Sequence, residues 1–230
     1  MSEDSGPVRG GFPRRQLSDE VASYVRELIM SGRLRSGDFI RQERIAEELE
    51  LSATPVREGL LSLKGEGFVL LKPRRGFVVA PLTSSDIRDL FTVQALLAGE
   101  LVARATGRIG PDDLRRLNEI HIALVAAAEA GDGDTVENLN HSFHRKINLI
   151  ADAPRVAWML SISSKFAPRR FFATIPGFYR ASAEDHTAII KAITHGDPEA
   201  ARAAMIRHME NAGDLLAANF ESTETLAQTR

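Results

Sequence analysis

Cysteine is absent from the 230 residues, which excludes disulfides, thiolate metal sites and a cysteine nucleophile. No uninterrupted apolar run approaches the ~18 residues that a bilayer-spanning helix needs. The amino terminus has no apolar h-region, so no secretory signal is expected. An excess of either sign of charge is lacking too: the net charge is −2, so the chain is no polycation. The expectation is a cytoplasmic protein with no membrane association.

What is present is ordinary globular composition, 43% hydrophobic and 26% charged, in a length that suits two small domains or one large one. Residues 1–80 hold 13 Lys and Arg against 12 Asp and Glu, so the local excess is slight. Clustering matters more. Between Ser52 and Arg75 stand five basic residues, with only Glu58 and Glu66 opposing them.

Residues 1–16, with Gly6, Pro7, Gly10, Gly11 and Pro13, read as a flexible tail. Ser18 reads as the cap of a helix with Val21, Val25, Leu28 and Ile29 on one face, stopped by Gly32. A short helix follows over Gln42–Leu49. Thr54 reads as the cap of a third helix with Pro55 at its first position, and Gly65 and Gly67 end it. Phe68–Leu71 and Phe77–Val79 flank Lys72-Pro73-Arg74-Arg75-Gly76 and predict a β-hairpin with a basic tip. Helix, helix, tight turn, helix and hairpin are the parts of a winged helix-turn-helix.

From Ser84 onward the periodicity is helical. It predicts helices over 84–107, 111–130, 133–151, 154–173, 179–195 and 198–220, with Pro168 kinking the fourth. The expected fold is therefore mainly α. A winged helix-turn-helix over 17–80 and a linker at 81–84 precede an all-α antiparallel bundle over 85–220 and a frayed tail at 221–230.

Physics picks out residues for reading DNA. The start of the third helix offers free N–H groups to phosphate. Ser52 and Thr54 can donate to phosphate or base edges, and Arg57, one turn in, can fork onto guanine. Arg35 precedes the second helix and can reach backbone or groove. Arg74, Arg75 and Gly76 suit a narrow minor groove, the arginines for its negative potential and the glycine for close approach. Arg41 and Arg44 read as solvated helix charge.

In the second half, Asn140 and His144 lie four apart on one helix face. His186 and His208 are equidistant from Asp197, so they can meet across an antiparallel helix pair folded at Gly196-Asp197-Pro198. Three imidazoles and an amide oxygen in a bundle core suit a divalent metal such as Zn, Ni or Mn, with open positions. His121, His141 and His195 read as satisfied polar residues.

The motifs Leu34-Arg35-Ser36-Gly37-Asp38, Glu47–Leu60, Gly65-Glu66-Gly67-Phe68-Val69 and Arg74-Arg75-Gly76-Phe77-Val78 resemble the GntR family of regulators over residues 17–80. Asn140–His144, Glu184-Asp185-His186 and Arg207-His208-Met209 resemble its metal-binding FadR C-terminal (FCD) domain over residues 84–220. The resemblance implies a ligand-responsive repressor that binds a pseudo-palindromic double-stranded operator as a homodimer. It also implies a small carboxylate effector bound at the metal. Three positions depart from the family pattern. Ala53 stands where relatives often carry arginine, which removes a contact worth ~1–3 kcal/mol of base discrimination. Gln94 and Ala98 stand where an Arg and a Glu commonly face the pocket, so Gln94 becomes a pocket candidate. Either the effector differs, or another residue such as Arg88, Arg104 or Arg169 supplies the charge, or ligand sensing has decayed. Two alternatives remain open, a helical-bundle metalloenzyme and a DNA-binding scaffold whose bundle only dimerises. No H-E-x-x-H or Ser-His-Asp pattern supports the enzyme.

Overall fold

The structure, a computed structural model, describes residues 14–166, 175 and 177–228. It contains two compact units that divide at Pro81 and Leu82, apart from Met30–Gly32, which group with the second.

The first unit holds α1 (Arg14–Met30), β1 (Phe39–Ile40), α2 (Gln42–Glu48), α3 (Ala53–Gly65), β2 (Val69–Lys72) and β3 (Gly76–Val79). The apolar face read from the sequence of α1 is buried, with Val21 and Val25 fully so. Helix α3 buries Pro55, Val56, Gly59, Leu60 and Leu63. Full burial of a leucine contributes about 1.5–3 kcal/mol, so Leu60 and Leu63 anchor the helix. Gly59 is required by proximity: a Cβ there would lie 2.8 Å from Ser18 O and from Val21 Cβ of α1. Arg26 is buried under this unit and donates from Nη2 to Glu66 Oε2 at 2.6 Å.

Two expectations shift here, and one element is new. Helix α1 starts at Arg14, so Ser18 lies inside it and does not cap it. Ser52 is the N-cap of α3, and Thr54 and Pro55 sit in its first turn, where the missing proline N–H has no helical partner to lose. A two-residue strand, β1, was not legible. It adds antiparallel to β3 (Phe39 opposite Val78, Ile40 opposite Phe77), giving sheet order β1-β3-β2.

In the second unit α4 (Ser84–Thr106), α5 (Pro111–Ala130), α6 (Gly133–Ile150) and α7 (Pro154–Ser163) precede a 3₁₀ turn at Ser164–Phe166. Two further helices, α8 (Phe178–Thr194) and α9 (Pro198–Gln228), complete it. Thr83 caps α4: its Oγ1 accepts from Asp86 N while Asp86 accepts from Thr83 N, a reciprocal capping box. The core joins Leu101 and Val102 of α4, Leu117 of α5, Phe143 and Ile147 of α6, Ile189 of α8 and Met205 of α9. Helices α4 and α9 approach closely because Gly213 has no Cβ; one would lie 2.6 Å from Phe91 Cβ. The expected frayed tail from Glu221 is helical as far as Gln228. The expected kink at Pro168 lies outside the described residues, as do Arg169 and the start of the amino-terminal tail. Among the described residues no helix is long and apolar enough to cross a membrane.

Candidate functional site

The first unit turns one face of α3 to solvent. Ser52, Ala53, Thr54, Arg57 and Glu58 are exposed while their helical neighbours are buried. Ser52 adopts extended backbone (φ −76°, ψ 163°), and its hydroxyl makes no capping bond. The helix therefore presents uncapped N–H groups beside two hydroxyls and, one turn on, a guanidinium. That is an anion-receptive end with a forked hydrogen-bond donor behind it.

The hairpin tip is built by a turn in which Arg75 N donates to Lys72 O at 3.1 Å. Pro73 leads that turn and Arg74 follows at φ 61°, a left-handed conformation that favours glycine. Gly76, at φ 83°, meets that demand without strain. The exposed guanidinium groups of Arg57, Arg74 and Arg75 make no ion pair among the described residues. Arg44 differs: Glu48 Oε1 accepts from its Nε at 2.9 Å, and Tyr24 OH donates to the other oxygen at 2.7 Å. Arg35 is exposed, and its backbone N–H closes the preceding turn onto Asp38 Oδ2 at 2.8 Å.

The second unit brings histidines from three helices to one place. Helix α6 supplies His144, α8 supplies His186 and α9 supplies His208. The α8–α9 hairpin turns at Gly196 (φ 64°), and Asp197 Oδ1 accepts from Glu199 N and Ala200 N to start α9. That register puts the His186 and His208 ring centroids 4.7 Å apart. The His144 ring lies 5.3 Å from His186 and 5.2 Å from His208. Phe143 stacks on His186 at 4.1 Å and 13°, fixing that ring from the other side. His186 and His208 are almost fully buried and His144 partly so.

One ligating atom from each of the three lies within 4.8 Å of the others, so the cluster could hold a metal ion. His144 Nε2 and His208 Nε2 are 3.2 Å apart. Ligand atoms ~2.0–2.1 Å from a zinc ion would stand about 3.0–3.4 Å from one another, so the pair already has a chelating separation. Both ring nitrogens of His186 and the Oδ1 of Asn140 are buried without hydrogen-bond partners. Unsatisfied buried polar atoms such as these call for an ion or water. Imidazole nitrogen and amide oxygen are the donors a borderline divalent metal accepts.

Burial lowers the His144 pKa to about 3, aided by the positive charge that His208 and His141 would bring. His186 is also pushed well below its ordinary value, first by desolvation and then by His208. Neutral imidazole, the metal-binding form, is therefore favoured. Asp185 Oδ2 lies 3.5 Å from His208 Nδ1 and accepts from Asn211 Nδ2 at 3.0 Å. The His208 side chain first, and Asn211 after it, hold the Asp185 carboxyl below its usual range.

Other expected residues fall elsewhere. Gln94 is buried and donates from Nε2 to Ser163 O at 3.2 Å. Arg88 is half-exposed and engaged by Asp214 Oδ1 at 3.0 Å and Glu221 Oε1 at 3.4 Å. Arg104 pairs with Glu100 at 2.7 Å. His195 bonds through Nδ1 to Lys191 O at 2.7 Å, and His141 is exposed. His121 stands closer to the cluster than spacing alone reveals. Its ring is 6.1 Å from that of His186, and its Nε2 bonds Thr187 Oγ1 at 3.1 Å. The available signal was its place four residues after Leu117, on the inward side of α5. The carboxylate of Asp185 was hidden by its position next to a more conspicuous histidine.

Residues 17–79 match the bacterial regulatory proteins of the gntR family, and residues 89–211 match the FCD domain. The chain is 25% identical to the HTH-type transcriptional regulator McbR of Escherichia coli, over 89% of this chain and 94% of that protein. It is 26% identical to the HTH-type transcriptional regulator LutR of Bacillus subtilis, over 84% and 98%. The solved structure of E. coli McbR/YncC superposes with a TM-score of 0.66 at 25% identity, covering 88% of this chain and 97% of that one. These relatives are transcriptional regulators, which removes the metalloenzyme alternative. The chain belongs to the GntR family of bacterial transcriptional regulators, with an amino-terminal winged helix-turn-helix and a carboxy-terminal FCD domain.

Proposed function

We propose that this regulator binds a pseudo-palindromic operator as a homodimer and senses a small carboxylate at a metal held by its FCD domain. The observation that carries this reading is the convergence of His144, His186 and His208, with orphaned buried donor atoms, in a chain that also carries a DNA-reading head. Those histidines and Asn140 would hold one Zn, Ni or Mn ion, which supplies a Lewis-acidic position for a carboxylate oxygen. Buried Gln94 is the pocket residue on α4. Arg88 would have to leave Asp214 and Glu221 to take part.

In the head, Ser52, Thr54 and Arg57 contact the major groove, Arg74, Arg75 and Gly76 enter the minor groove, and Arg35 meets the backbone. Arg57, Arg74 and Arg75 support this because each is an exposed arginine with no ion-pair partner among the described residues. A homodimer is supported by an apolar row on α7, with Trp158 57%, Met159 49% and Ile162 37% exposed. Val93 (50%) and Leu96 (62%) do the same on α4, which the Gln94–Ser163 hydrogen bond joins to α7. Effector binding would shift the population between two packings of the bundle and so reorient the paired heads, acting in the sense of repression.

The test is a mobility-shift titration on operator DNA with chelated protein, protein reloaded with each of the three metals, and reloaded protein with a panel of small carboxylic acids. A change of DNA affinity that needs both metal and acid is expected. If neither changes the affinity, the bundle is a dimerisation scaffold and the sensing function falls.

A further inference from the structure

The three donors that converge on the candidate metal centre are imidazoles, which ligate in the neutral form. A dication buried among neutral ligands is poorly compensated, since burial of unpaired charge is costly. The nearest carboxylate given by the contacts is Asp185, which stands outside the set of three mutually close ligand atoms. It reaches the site through His208. The two nitrogens of that ring divide the work: Nε2 faces His144 Nε2 at 3.2 Å, and Nδ1 faces Asp185 Oδ2 at 3.5 Å. Asn211, one turn after His208 on α9, donates to the same Asp185 oxygen at 3.0 Å.

We infer that Asp185, tethered by Asn211, is the positioning residue of the metal centre. Its charge beside Nδ1 favours the His208 tautomer protonated there, leaves the Nε2 lone pair for the metal, and supplies the negative charge that the ligands lack. This inference rests on the metal reading above. Carboxylate–histidine pairs of this kind typically change metal affinity by about 10–100-fold when broken. Asp185 lies next to His186 in the chain, so one turn of α8 both contributes a ligand and orients a second one from α9.

The probe is Co(II), added to chelator-treated, tag-free full-length protein and followed by its visible absorption and by competition with a chelator of known affinity. Wild type is expected to bind one ion per chain. Asp185→Asn keeps the shape but removes the charge, and should weaken Co(II) by about 10–100-fold while the metal-free protein remains folded with its helical content intact. Asn211→Ala leaves the carboxylate but frees it, and should lose affinity in the same direction. Glu184→Gln removes an adjacent surface charge that faces Arg180 at 3.6 Å, and should bind like wild type. Wild-type uptake with an undiminished Asp185→Asn, or an equal loss in Glu184→Gln, overturns the role of Asp185 and leaves the metal centre standing. A wild-type protein that takes up no Co(II) overturns both.

Discussion

The Nε2 atoms of His144 and His208 face each other at 3.2 Å between α6 and α9, with their rings nearly parallel at 17°. Two lone pairs at that separation repel. Either one nitrogen carries a proton toward the other or both point at a shared cation.

The first consequence is acid lability of the metal-free protein. The folded pKa of His144 lies near 3, below the ordinary 6.5, and that of His186 is lowered in the same sense. The unfolded chain then binds more protons than the folded one at acid pH. Stability is complete above about pH 6.5 and falls as the pH drops toward 3. Thermal melts of chelated protein between neutral and mildly acid pH should show this slope. His144→Asn should flatten it, and a midpoint that holds or rises on acidification would contradict the assignment.

Arg57→Ala should abolish specific DNA binding, because a forked base contact is worth ~1–3 kcal/mol and stands near the start of α3. A mobility-shift salt titration measures it. If Arg57→Ala bound as tightly and as selectively as wild type, the assignment of Arg57 to base reading would be wrong.

Arg74 poses a different trade. Its left-handed backbone, φ 61°, costs about 1 kcal/mol or more in a non-glycine residue. Arg74→Gly should therefore raise the thermal stability of the amino-terminal unit while weakening DNA binding and lowering its salt slope by roughly 0.9. Weakened binding without a gain in stability would mean that the tip is unstrained.

The Arg26–Glu66 pair makes the first unit vulnerable from within. Glu66→Ala leaves the buried guanidinium without its partner, and removing one member of a buried pair costs about 3–5 kcal/mol, less here because the Glu66 side chain is 21% exposed. A loss of about 2–3 kcal/mol in urea unfolding is expected. Glu66→Gln, which retains a hydrogen-bond acceptor, should lose less.

Trp158→Asp tests the apolar row of α7. It places a charge where an indole is 57% exposed, so a monomer should stay folded while a dimer built on this face dissociates. Sedimentation at several concentrations reads the outcome. A dimer as tight as wild type would move the interface elsewhere.

Much of this protein is legible before any coordinates. Helical periodicity set the inner faces of α1, α3 and the bundle helices, and the order of elements named the head. The midpoint arithmetic about Asp197 predicted that His186 and His208 meet, because an antiparallel hairpin pairs residues equidistant from its turn. Caps were less secure: Ser18 and Thr54 look like caps, yet chain geometry gave the role at α3 to Ser52. Strand β1 escaped notice because two residues carry no periodicity; only pairing with β3 makes them a strand.

What the tertiary structure alone decided are relations between distant residues. Sequence spacing could place His144 on a face, but packing of α6 against α4 and α5 brought it to the other two histidines. The acceptor of Gln94, the partners of Arg88 and the contact between Asp185 and His208 each depend on side chains from different helices. Local propensity is written within a few residues of each position, whereas a site is written in contacts that exist only once the helices have packed.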